Sequence, residues 1–169
     1  MSKSYKVRAS YCNHRVSEEE IYQTLKRTTD PLTKSWQQIE KARQVVIKFN
    51  MMKLPERIEY FQGRRRELVD DAFCRATLRL IKEHTTAQLI ATDTNPYNNG
   101  NIMPTGFNYE HHLKEFDVQF VDSSLPPFAD YEVPNGGLMF NRYTLSRCFE
   151  EADATVSVAK MKNHAFMGI

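Results

Sequence analysis

No two cysteines in this chain are close enough to form a metal knuckle or a cluster loop. Cys12, Cys74 and Cys148 are odd in number and far apart, and no CxxC occurs. A disulfide framework, a zinc knuckle and an iron–sulfur motif are therefore all without support. Buried thiols in a reducing compartment are the expected state. Long apolar runs are also missing. Nothing approaches the roughly 20 residues of a membrane span, and Met1-Ser2-Lys3-Ser4 is followed by no apolar leader. A cytoplasmic protein with no membrane partner is expected. Charge of one sign is missing too. The formal net charge is +2, from 23 basic and 21 acidic residues, which gives no reason to expect a nucleic-acid partner. Neither GxGxxG nor GxxxxGK[ST] occurs, so dinucleotide and P-loop readings have no motif behind them. No internal repeat or low-complexity tail is found.

What remains is ordinary globular material. The 169 residues are 41% apolar and 26% charged, which suits a single α/β domain spanning 1–169. Alternation predicts a first strand over Tyr5–Ser10. Ser17 before Glu18-Glu19-Glu20 predicts a capped helix, which Asp30-Pro31 breaks, and Trp36 and Ile39 suggest a short second helix. Gln44–Asn50 reads as a strand covered on both faces. The apolar spacing of Leu68, Ala72, Ala76 and Leu80 predicts a long helix over Gly63–Glu83, with Arg64-Arg65-Arg66 as its solvated start. Gln88–Thr92 is the next strand, with Asp93 just beyond it, and the three elements form a right-handed βαβ unit. Asn95–Thr105 is turn chemistry of active-site-loop length. A short helix over Gly106–Lys114, strands over Phe116–Val121 and Phe128–Val133, a turn at Pro134–Gly137, a hairpin partner at Leu138–Phe140, a helical turn over Leu145–Glu150 and a last strand over Thr155–Ala159 complete the pattern. The expected architecture is an open, mostly parallel sheet flanked by helices, with a small antiparallel hairpin.

In a parallel sheet the loops leaving the strand C-termini share one edge. Lys48 and Asn50 leave one strand, Asp93 and Thr94 the next, and Lys160, Lys162, Asn163 and His164 the last. Several lysines near a carboxylate and an imidazole suit a small anionic ligand, a phosphate or a carboxylate. Lys162, His164 and Asp93 are the candidate catalytic groups. An amine among neighbouring ammonium groups can act as a base, and an imidazole can relay a proton. Lys48, Asn50, Thr94, Lys160 and Asn163 are the candidate ligand-binding groups. No metal site is assigned. His111 and His112 are adjacent on a helix and are expected to point apart, making a poor chelate. Magnesium, which needs few protein ligands, stays open through Asp93, His164 and Asp122.

Three segments carry a family likeness. They are Lys48-Phe49-Asn50 at a strand end, Ile90-Ala91-Thr92-Asp93 at the next, and Asp153 before a strand that closes in Lys160-Met161-Lys162-Asn163-His164. On these the chain, from about Tyr5 to Ile169, resembles the domain of unknown function 362 family. The family's more usual strand end has proline between Lys and Asn, where this chain has Phe49. The resemblance implies an N-terminal portion of a larger domain, because the family's signature continues past the point where this sequence stops. The missing remainder could then be a second chain. It also implies a redox association, since relatives carry ferredoxin-like cluster domains. It carries no agreed reaction. Three functions follow: an enzyme or enzyme fragment acting on a small anion, an accessory module for a redox or iron–sulfur partner, and an inactive truncated fragment.

Overall fold

The computed structural model describes residues 7–51, 53–94 and 107–162. The first helix, α1 (Glu18–Thr29), starts where its caps require. Ser17 Oγ accepts from the Glu20 N–H at 3.2 Å, and Glu20 returns a bond to the Ser17 N–H at 2.9 Å. A second helix, α2 (Thr33–Lys41), leads into β1 (Gln44–Phe49). A two-residue hairpin follows, formed by β2 (Tyr60–Phe61) and β3 (Arg64–Arg65). Gln62 and Gly63 in its turn have φ of 50° and 79°, the left-handed pair such a tight turn needs. Then come α3 (Asp71–His84), β4 (Gln88–Asp93), α4 (Glu110–Glu115) and β5 (Gln119–Asp122). A second hairpin, β6 (Phe128–Glu132) with β7 (Arg142–Ser146), precedes β8 (Ala154–Val158).

The strands β5-β4-β1-β8 form one four-stranded sheet, every neighbouring pair parallel. Val45, Ile47, Phe49, Leu89, Ala91, Ala154 and Val158 belong to the main core with Leu78 and Ile81 of α3 and Leu113 of α4. Val46 and Ile90 pack instead with Cys148. This accounts for the unbroken apolar run at Val45-Val46-Ile47, since both faces of the strand are covered. Ile21 and Tyr22 seat α1 on Ala76 and Leu80 of α3.

Several expectations need correction. Residues 7–10 are exposed and form no strand; the sheet edges are β5 and β8, so alternation alone gave that segment no partner. The long helix starts at Asp71 rather than Gly63, because Asp70 caps it by accepting from the Ala72 N–H at 3.1 Å. Arg64 and Arg65 are therefore strand residues, and Arg65 is buried rather than solvated. The hairpin partner is Arg142–Ser146 rather than Leu138–Phe140, and Leu145 lies in that strand, which leaves only Arg147–Phe149 as a helical turn. Cys74 and Cys148 are buried but Cys12 is exposed; burial pushes the Cys74 thiol up to about 12. No helix among the described residues is long and apolar enough to cross a membrane.

Asp153 stands at the opposite end of β8 from the lysines. Its Oδ2 accepts from the backbone N–H groups of Arg43 and Gln44 at 2.8 and 3.0 Å, and its own N–H donates to Gln44 O at 3.0 Å. It fixes the register of β8 on β1. The two backbone donors hold its carboxyl below the usual range. A lowered folded-state value means stability that is present above the unfolded value and lost as pH falls through the folded one. Asp153→Asn is expected to lower the thermal midpoint at pH 7, with the gap to wild type closing below about pH 4. Melting curves across that range test this, and a gap independent of pH would show that the charge contributes nothing.

Candidate functional site

Strand order fixes where a ligand crevice can open. From β1 the chain crosses to β4 and then to β5, and β8 returns to the other side of β1. The order reverses between β1 and β8, and open parallel sheets place ligands outside the strand C-termini at such a reversal.

At that edge Lys48 Nζ lies 2.9 Å from Asp93 Oδ1. Asp93 is the last residue of β4, and its side chain is only 6% exposed against 44% for Lys48. Its Oδ2 accepts from the Met51 N–H and its Oδ1 from the Thr94 N–H, both at 2.9 Å. The carboxylate thus ties the chain leaving β1 to the end of β4. Asn50 ties β1 to its other neighbours: its N–H donates to Val158 O at 3.2 Å, and its carbonyl accepts from the Val69 N–H at 3.0 Å. Its side-chain Oδ1 is buried with no hydrogen-bond partner among the described residues, a state that costs free energy until a donor arrives. Thr94 is exposed at the same edge.

Lys160, beyond β8, donates to Arg65 O at 3.0 Å. Lys162 is exposed. Its charge reaches Glu67, whose carboxyl is held below its ordinary value first by the hydrogen bond from Lys53 and further by the charges of Lys53 and Lys162. Asn163 and His164 lie outside the described residues. A cavity of 440 Å³ opens beside Lys160, lined also by Ser10, Asn13, His14, Arg64 and Phe73. The Arg64 guanidinium is already engaged there by His14 O, Val16 O and Asp70, at 3.0, 2.7 and 2.7 Å.

A second cluster was missed by sequence reasoning. Asp71, His111 and His112 each bring one ligand-type atom within 4.8 Å of the others. The two imidazole centroids are 3.7 Å apart, which corrects the expectation that adjacent histidines on a helix diverge. The helix here is only six residues long and follows a 3-10 turn at Phe107–Tyr109, so regular helical spacing does not set both ring positions. Arg65 clamps Asp71 with Nε and Nη2, each at 2.8 Å, and its guanidinium sits 4.4 Å above the Tyr109 ring. His112 Nε2 lies 2.9 Å from Asp71 Oδ1. Burial raises the Asp71 carboxyl, but the His112 hydrogen bond and the Arg65 charge outweigh it and hold the group below its usual range. Burial also pushes the Tyr109 hydroxyl up; that hydroxyl donates to Val69 O. Asn108 Nδ2 donates to Met51 O and Lys53 O at 3.0 and 2.7 Å, tying this corner to the loop after β1. The sequence hints were the adjacent His111-His112, set aside as a poor chelate, and the closeness of Arg64-Arg65 to Asp70-Asp71.

Residues 45–169 match the family described as Domain of unknown function (DUF362). The chain belongs to the DUF362 family. The match is narrower than the resemblance, which ran from about Tyr5: it begins inside β1 and takes in all four sheet strands, while α1 and α2 precede it. It contains the Asp71, His111 and His112 cluster, whose residue types could form a ligand or metal site in this DUF362 domain. No curated protein and no solved structure matches the chain.

Proposed function

We propose that this DUF362 domain binds a small anion, a phosphate or a carboxylate, at the carboxyl edge of its sheet. One observation carries the reading. β1 and β8 are parallel neighbours in register, with Lys48 opposite Ser157. Lys160 to Lys162 therefore leave the sheet on the same edge as Lys48 and Asn50, at the point where strand order reverses. The lysines at this edge, Lys48, Lys53, Lys160 and Lys162, outnumber the carboxylates Asp93, Asp122 and Glu67. Ammonium groups on flexible stems meet anionic oxygens as mobile point charges. Lys48, Asn50, Thr94, Lys160 and Asn163 would hold the ligand. Lys162 would also meet the anion through its charge, and Lys162, His164 and Asp93 are the groups that would move a proton if the bound compound reacts.

Lys162→Ala tests the reading, because Lys162 is exposed and its loss leaves the core intact. Calorimetric titration with inorganic phosphate and with acetate should show affinity for the preferred anion falling by about 1.5–3 kcal/mol, the scale of a charge-assisted hydrogen bond. Unchanged affinity would remove Lys162 from the site.

A further inference from the structure

The Asp71, His111 and His112 cluster shares no residue with the lysine edge and points to different chemistry. His112 is 5% exposed. Its Nε2 faces Asp71 Oδ1 at 2.9 Å, so Nε2 carries the proton and Asp71 accepts it. In the neutral ring, that tautomer puts the lone pair on Nδ1. Nδ1 is buried and has no hydrogen-bond partner among the described residues. A buried acceptor left open costs free energy unless something binds it. Beside it lies His111, which is exposed, with its ring 3.7 Å away, centroid to centroid.

Both oxygens of the carboxylate are already engaged by the chain's own donors. Asp71 Oδ1 takes Arg65 Nη2 and His112 Nε2, and Oδ2 takes Arg65 Nε. Its charge is matched by the guanidinium. Asp71 is thus built to orient an imidazole through its N–H, the arrangement by which a carboxylate sets a histidine for metal binding.

We infer that His111 and His112 form a site for a divalent transition-metal ion of the zinc class, with Asp71 as the positioning residue behind His112. Imidazole nitrogens suit zinc, cobalt, nickel and copper, whereas magnesium and calcium take oxygen donors. The exposed face of His111 leaves the remaining coordination positions to water. The site rests on none of the residues proposed to hold the anion, so either can fail without the other.

The full chain is titrated with zinc chloride and, separately, magnesium chloride, and cobalt(II) is added as a spectroscopic probe. The site predicts one tight zinc equivalent, no comparable magnesium binding, and visible cobalt bands that imidazole ligation shifts from those of the aqueous ion. His111→Ala, at an exposed position, should leave the circular dichroism spectrum unchanged. It should weaken zinc binding at least tenfold and abolish the cobalt bands. Cys12→Ser, which removes the exposed thiol near His14, should leave both readouts alone. Absence of a tight zinc equivalent, equal binding by His111→Ala, or loss of the site in Cys12→Ser would each overturn the inference.

Discussion

Replacing Asp71 by alanine is expected to destabilise the domain by about 3 kcal/mol, at the lower end of the range for removing one partner of a buried ion pair. The cost falls on Arg65. Its side chain is 7% exposed and donates two of its hydrogen bonds to Asp71. With Asp71 gone it keeps Asn108 O at 3.1 Å and the face of Tyr109, while Nη1 is already without a partner. The charge sits largely out of water, with the Arg65 side chain only 7% exposed. Asp71 itself is 37% exposed, so some water enters where its carboxylate stood, which keeps the estimate from the upper end. Chemical denaturation measures the difference. The double variant Arg65→Met with Asp71→Ala should recover much of the loss, because a desolvated charge is no longer stranded. A loss below about 1 kcal/mol for the single variant would mean that Arg65 finds solvent after all.

Asp93→Ala is expected to cost about 2–3 kcal/mol. Met51 is fully buried, and its N–H loses its acceptor when the Asp93 carboxylate is removed. Lys48 loses its ion partner as well, but its side chain is half exposed and water takes over much of that role. The backbone donor therefore dominates the loss, more than the charge pair does. Asp93→Asn separates the two: its side-chain oxygen can still accept from Met51, so it should lose less than half of what alanine loses. Urea midpoints for the two variants decide the matter. Equal losses would put the energy in the ion pair instead.

Much of the frame was readable one element at a time. The Ser17–Glu20 capping box is a local signal, and α1 begins where it says. The β-branched run before Lys48 and the positions of Ala76 and Leu80 in α3 likewise report burial directly. The failures share a cause. Alternation at residues 7–10 and helical spacing ahead of Asp71 are real patterns, yet neither encodes a partner. Residues 7–10 form no strand and pair with neither edge of the sheet, β5 or β8. The arginines at 64–65 had a nearer carboxylate pair in Asp70 and Asp71 than any solvent-facing helix could offer. Asp153 shows the same limit from the other side. It looked like part of a functional signature, but it sits at the far end of β8 holding backbone amides.

Taken alone, the sequence determined the class of the fold, the parallel βαβ core and the residue types at the strand C-termini, because these depend on spacing and hydropathy within short windows. It also contained the lysines and Asp93 that the proposed anion site uses. Only the tertiary structure decided that β8 returns beside β1, and so which loops share an edge. It alone brought Asp71 from one helix to His112 on another, 41 residues away. The reason is physical: strand order and helix-to-helix contacts depend on long-range packing and on which buried charges can neutralise one another, and no window of sequence carries that information.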